Sequence, residues 1–250
     1  MKYNICVPIP VKSANVIELK SIIEKSLRSY PNLVEFRYDY IDNVKHITQD
    51  LVNELLAEVQ PEIPAIFTFR TLQEGGQIQI DEEMRLKIIN TLLLSRPNYL
   101  DIEMSTEKRY LNDIINLANQ NNVNLIFSYH DFDKTPSYET VTNQIQNFLD
   151  KLREEYGFGS QNMEKIIVKM IFTAQKFEDN ITPLKLCKEF SKQKIRIISF
   201  CMGDLGIFSR ILCVLNGSFL TYGSFVGKTA PGQLNIRKVR DMLDVLQEDE

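Results

Sequence analysis

Six short stretches of this sequence carry ionisable side chains inside otherwise apolar runs. Val34-Glu-Phe-Arg-Tyr-Asp-Tyr40 has Glu35, Arg37 and Asp39 at spacing two. On an extended chain that spacing aims all three at one face. Asp101-Ile-Glu103 repeats it, Thr68-Phe-Arg70 and Ser128-Tyr-His130 end two further runs, and Lys169 interrupts Ile166-Ile-Val-Lys-Met-Ile-Phe172. Arg210 follows in Gly206-Ile-Phe-Ser-Arg210. An unpaired ion is costly to bury, so charges on buried strands are either paired or catalytic. The set is nearly self-neutralising. Arg37, Arg70, Lys169 and Arg210 oppose Glu35, Asp39, Asp101 and Glu103, leaving His130 as the group that ordinarily titrates near neutrality.

Lys169 is the sharpest feature. A lysine between Val168 and Met170 on a buried strand sheds hydration, which favours the neutral amine that attacks a carbonyl. The bland alternative is a structural lysine paired to Glu35 or Asp101. Lys165 shares its parity but sits beside Glu164 at the strand's N-terminal end, far from the expected site, so Lys169 is preferred. His130 is the expected proton carrier, because the polar run Asp131-Phe-Asp-Lys-Thr-Pro136 places its ring at a strand end. The other histidine, His46, follows Asp42-Asn-Val-Lys45 and reads as solvated. Glu74-Gly-Gly76 and Gly227-Lys-Thr-Ala-Pro-Gly-Gln233 read as substrate clamps, the first freed by its glycines and the second closing as a lid. Arg210 has the fork that grips a carboxylate bidentately, or it is a helix-surface ion pair.

These residues are positioned by an eightfold alternation. Apolar strand candidates cover 3–8, 33–39, 65–70, 99–103, 124–130, 165–173, 196–201 and 219–224. Amphipathic helix candidates cover 15–29, 48–58, 81–95, 107–121, 137–156, 182–193, 205–215 and 236–246. Leu111, Ile114, Ile115, Leu117 and Ala118 show the helical period of one buried face. Strands alternating with helices predict a parallel sheet, and eight units in 250 residues match a single-domain α/β (β/α)₈ TIM barrel over 1–250. A doubly wound sheet would usually bring a glycine fingerprint after the first strand, where this chain has Pro8-Ile-Pro-Val-Lys12. In a barrel the C-terminal strand ends carry the active site, where these charges fall.

Composition narrows the function classes. Hydrophobic residues make up 44% and charged residues 25%, which excludes a disordered or fibrous chain. The net charge is −4, from 29 basic and 33 acidic residues with no basic block, so no nucleic-acid or anionic-membrane partner is expected. Cys6, Cys187, Cys201 and Cys213 are scattered and the N-terminus reads as a strand, so a reduced, cytoplasmic location is expected. With two histidines and no CxxC pair, no metal centre is expected.

The ordered set Glu35-Phe-Arg-Tyr-Asp39, Phe69-Arg-Thr71 with Glu74-Gly-Gly76, Asp101-Ile-Glu103, His130-Asp-Phe132 with Thr135-Pro136, Val168-Lys169, Met202-Gly203 with Gly206 and Ser209-Arg210, and Ala230-Pro-Gly-Gln233 resembles type I 3-dehydroquinate dehydratase. The resemblance runs from Glu35 to Gln233. It implies a cofactor-free (β/α)₈ barrel of the shikimate route to chorismate, acting on 3-dehydroquinate and often homodimeric. It gives Lys169 the imine, His130 the acid/base role and Glu103 the support of His130. It makes Glu35, Arg37 and Arg70 binders of substrate hydroxyls, Arg210 the binder of the carboxylate, and Thr229 and Gln233 contacts from the closing loop, with Glu74 approaching on closure. Thr229 stands where the family often has serine, and 156–162 reads as an insertion.

Three other readings fit parts of the pattern. One is an imine-forming aldolase or transaldolase, which would want a phosphate site near the last two strands. Another is a divalent-metal isomerase or lyase using Glu35, Asp101, Glu103 and His130 as ligands. The third is a non-enzymatic binding barrel, against which the retained lysine and histidine argue.

Overall fold

The computed structural model describes residues 3–159, 163–225 and 230–247. Its strands are β1 (Ile5–Pro10), β2 (Leu33–Arg37), β3 (Ala65–Thr68), β4 (Tyr99–Glu103), β5 (Asn124–His130), β6 (Ile166–Thr173), β7 (Ile197–Met202) and β8 (Thr221–Tyr222). They form one eight-stranded sheet in the order β7-β6-β5-β4-β3-β2-β1-β8. The Phe219 N–H donates to the Ile197 carbonyl at 2.6 Å, which joins the strand at one end of that order to the segment leading into the strand at the other. This is the (β/α)₈ barrel. Two compact units make up the chain, one of Cys6–Ile126 with Phe225 and the other of Phe127–Ser224 with residues 3–5 and 230–247.

In the first unit β1, β2, β3 and β4 pair in parallel, and one row of their register runs Pro10, Arg37, Thr68, Asp101. In the second unit β6 and β7 pair in parallel, with Lys169 beside Ile198. Almost every strand residue is buried. Strands covered on both faces read as continuous apolar runs, which is why a charge within one is informative.

The helices are α1 (Val16–Leu27), α2 (Gln49–Ala57), α3 (Glu82–Leu94), α4 (Lys108–Gln120), α5 (Tyr138–Tyr156), α6 (Ile181–Lys192), α7 (Ile207–Leu212) and α8 (Ile236–Val245). Their starts follow side-chain chemistry. Asn15, Thr48, Asp81 and Ser137 each accept a backbone N–H from the first turn, satisfying a donor that the helix itself leaves orphaned. Of the expected α4 stripe, Leu111, Ile114, Ile115 and Ala118 are buried, whereas Leu117 lies at its margin and Tyr110 completes it. No described helix is long and apolar enough to cross a membrane.

Three expectations are corrected. Strand β2 stops at Arg37, and Asp39 lies in a 3₁₀ turn (Tyr38–Tyr40), so the spacing-two face holds only Glu35 and Arg37. The last strand is two residues rather than 219–224, because Ser224 pairs instead with the chain at Asn235, its N–H donating to the Leu234 carbonyl at 2.7 Å and its carbonyl accepting from the Ile236 N–H at 2.9 Å. The helix expected over 205–215 is broken into a 3₁₀ turn (Asp204–Gly206), α7 and a second 3₁₀ turn (Val214–Asn216).

Candidate active site

In the first unit the buried charges resolve into two clusters. Glu103, 1% exposed at the end of β4, is held from three directions. Its Oε1 accepts from Arg70 Nη1 at 2.8 Å and from the Thr71 N–H at 3.0 Å, and its Oε2 accepts from Arg85 Nη2. Arg70 also pairs with Asp101 at 2.9 Å. Arg37 and Asp39 form the second cluster, a bidentate pair with both bonds at 2.8 Å, while Glu35 accepts from the Thr68 hydroxyl at 2.7 Å. Burial by itself lowers a guanidinium's affinity for its proton. For Arg70 and Arg37 the adjacent carboxylates outweigh burial and raise both above the ordinary value.

Glu74-Gly75-Gly76 is held in place by local geometry in this structure. Gly75 takes φ 85° to end a 3₁₀ turn. A Cβ on Gly76 would stand 2.0 Å from the Arg70 carbonyl oxygen, so only glycine fits where this loop folds back. Glu74 is already buried, and Ser105 donates to it at 3.4 Å.

In the second unit Lys169 lies mid-strand on β6 and is 5% exposed, whereas Lys165 precedes the strand and is exposed. The Lys169 amine donates to the Tyr222 hydroxyl at 3.3 Å. His130 ends β5, half-buried, with its ring stacked 6.3 Å from Phe132. The loop after it is ordered by Asp131, whose carboxylate accepts the N–H groups of Asp133 and Lys134 at 2.9 Å each. His46, by contrast, is exposed and lies 3.3 Å from Asp42. Gln233 is buried to 1% exposure, and the turn before it seats Gly232 at φ 70° against Gly203. Thr229 lies outside the described residues.

Arg210 differs from the other arginines. It is 1% exposed, its guanidinium lies 4.4 Å over the Phe200 ring, and its Nη2 donates to the Pro231 carbonyl at 3.0 Å. Its Nε is buried and has no hydrogen-bond partner among the described residues. Among the described residues no carboxylate pairs with it, and burial brings it down to about 10. A buried cation held ready without an anion is what a carboxylate-binding site requires. The sequence left a surface ion pair open for Arg210, and the burial overturns that alternative. Arg210→Met is expected to stabilise the unliganded protein by about 1–3 kcal/mol while weakening binding of an anionic substrate. The pH dependence has a definite sign. Between about 10 and the ordinary arginine value the unfolded chain holds the proton that the folded chain has lost, so stability rises with pH there. Denaturant titrations of wild type minus variant, from pH 8 to 11, check both points. A variant less stable than wild type at every pH would sink the argument.

Sequence reasoning missed two of these contacts. Arg85 is a buried charge on α3, and its periodicity with Ile88, Ile89, Leu92 and Leu93 could have marked it as core-facing. Tyr222 had no signal beyond its place in the last strand.

Comparison with known proteins agrees with the fold and places the chain in a family. The family model described as type I 3-dehydroquinase matches residues 5–250. A 3-dehydroquinate dehydratase from Listeria monocytogenes is 31% identical, over 97% of this chain and 92% of that one. One from Methanococcus maripaludis is 31% identical, over 96% of this chain and 99% of that one. Among solved structures, the 3-dehydroquinate dehydratase of Geobacillus kaustophilus superposes with a TM-score of 0.82 at 28% identity, covering 99% of this chain and 92% of that one. The type I enzyme of Clostridium difficile, solved with covalently modified comenic acid, superposes at 0.81 with 25% identity, covering 100% and 94%. A (β/α)₈ chain with a buried lysine on its sixth strand, matched by the family model over nearly its whole length, belongs to the type I 3-dehydroquinase family.

Proposed function

We propose that this protein is a hydro-lyase of the shikimate route, removing water from 3-dehydroquinate to give 3-dehydroshikimate through an imine on Lys169. The observation that carries the reading is the Lys169 amine, buried mid-strand in a chain that belongs to the type I family. A relative that holds a covalently modified small molecule is consistent with a nucleophile in this family.

The chemistry needs an electron sink. A CH₂ beside a ketone is a poor acid. Once Lys169 has converted the ketone to a protonated imine, the electrons of the breaking C–H bond have somewhere to go. His130 takes that proton, leaving an enamine. The enamine expels the β-hydroxyl, which leaves as water with the proton returned by His130, and hydrolysis releases Lys169. One base serving both proton steps makes the elimination syn. General acid/base catalysis contributes typically about 10²–10⁴-fold, so imine activation and positioning supply the rest.

In this reading Arg210 binds the substrate carboxylate, which a buried charge with no carboxylate partner among the described residues favours. Glu35, Arg37 and Arg70 bind hydroxyls, and Glu103 fixes Arg70 and supports His130. Gln233 and Thr229 contact substrate from their loop. The reading also takes residues 1–250 as one catalytic domain, free of cofactor and metal, acting as a cytoplasmic homodimer. The homodimer follows the resemblance, the single domain the eightfold alternation, the lack of a metal the two histidines, and the cytoplasmic location the scattered cysteines.

Trapping tests the proposal. Incubation with 3-dehydroquinate followed by borohydride is expected to leave an irreversible adduct that peptide mass spectrometry maps to Lys169. An adduct on Lys165 would relocate the nucleophile. No adduct and no dehydroshikimate would end the dehydratase reading.

A further inference from the structure

We propose that Tyr222 is a catalytic residue that carries a proton from nitrogen to oxygen while Lys169 adds to its carbonyl substrate. The inference rests on Lys169 being the imine-forming lysine and goes beyond that role.

Tyr222 is buried on β8, and its hydroxyl oxygen accepts from the Lys169 amine at 3.3 Å. That amine nitrogen is 5.0 Å from the centroid of the Tyr222 ring. The ring is held in turn by Phe200, packed against it at a centroid distance of 6.2 Å and an interplanar angle of 64°, and Phe200 carries the Arg210 guanidinium. The phenol therefore reaches the nucleophile from a fixed position. A catalytic group needs that geometry before its proton affinity matters.

The addition step supplies the task. As the Lys169 nitrogen bonds to the ketone carbon, the C=O π pair moves onto oxygen. The nitrogen then carries one proton too many and the oxygen one too few. The two atoms share a carbon, and direct transfer between them would pass through a strained four-membered ring. A phenol hydroxyl closes a six-membered ring instead. An N–H bond breaks as that proton bonds to the phenol oxygen, and the phenol's own O–H bond breaks as its proton bonds to the alkoxide. Tyr222 ends as it began and no further reactant is consumed. Loss of water from the resulting carbinolamine is a separate step that the relay does not include.

Tyr222→Phe removes one oxygen atom and keeps the ring, so packing on Phe200 persists. Rapid-quench trapping of 3-dehydroquinate with borohydride is expected to show the Lys169 adduct forming about 100-fold more slowly than in wild type. kcat is expected to fall in step and KM to change little, because substrate binding is untouched. A trapping rate within about threefold of wild type would overturn the proposal and reduce Tyr222 to packing. Should Y222F lose its fold, a fluorinated tyrosine at position 222 decides. It lowers the phenol's proton affinity at constant shape, and the pH profile of trapping is expected to shift toward acid. An unshifted profile counts against the relay. If wild type itself gives no adduct on Lys169, the reading of Lys169 fails and the relay falls with it. An adduct on Lys169 that forms equally fast in Y222F leaves that reading intact and removes only the relay.

Discussion

Lys169→Met is expected to abolish the borohydride adduct and to lower turnover by on the order of 10⁵-fold, the scale on which losing a covalent nucleophile acts. Methionine is close to lysine in length and has no amine. Burying it costs nothing in ionic desolvation, so the thermal midpoint is expected to stay level or rise. That combination separates a catalytic lysine from a structural one, whose loss would lower stability. Lys165→Met is the matched control. Lys165 is exposed before β6, and its replacement is expected to leave turnover and adduct unchanged. Activity in Lys169→Met within tenfold of wild type would refute the imine at this position. Dehydroshikimate production followed by absorbance, alongside a thermal melt, reads both quantities from one preparation.

Glu103→Gln is expected to produce the largest loss of stability among the site residues, about 3–5 kcal/mol, or a fall of about 10 °C in Tm. Glutamine keeps the shape of Glu103 and removes its charge, taking from Arg70 the carboxylate at 2.8 Å and leaving the one at 2.9 Å on Asp101. Arg85 would keep the Thr106 hydroxyl at 3.5 Å and Glu82, which is partly exposed and 3.3 Å away, so a guanidinium 3% exposed would lose its buried counter-ion. The penalty comes from the stranded cation more than from the lost bond. Adding Arg85→Met to Glu103→Gln is therefore expected to restore part of the stability, and a double-mutant cycle measures that coupling. A loss under about 1 kcal/mol would mean that the cluster behaves like an exposed ion pair.

Much of this is legible in the sequence. The helix starts were visible because Asn15, Thr48, Asp81 and Ser137 satisfy orphaned N–H groups whatever the rest of the chain does. Strands β4 and β5 were visible because burial on both faces demands apolar runs of their length. Charges on those strands and on β2 and β6 stood out against that background, which brought Glu35, Arg37, Glu103 and Lys169 to notice. All four are buried.

Pairing was not legible, because an ion's partner is chosen by proximity across elements distant in sequence. Spacing put Asp39 on the face of Glu35 and Arg37. The chain instead turns after Arg37, and Asp39 folds back as its bidentate partner. Arg85 joins Glu103 from a helix eighteen residues earlier. Tyr222 reaches Lys169 across 53 positions. Arg210 shows the same limit in reverse, since only the packing of Phe200 and Pro231 around it reveals a buried cation with no carboxylate partner among the described residues. The sequence by itself determined the eightfold alternation and which charges had to be accounted for, since periodicity, capping and burial cost are local properties. Tertiary structure alone decided which charges neutralise one another and which stay available, because Coulomb energy and desolvation depend on distances that local sequence does not encode.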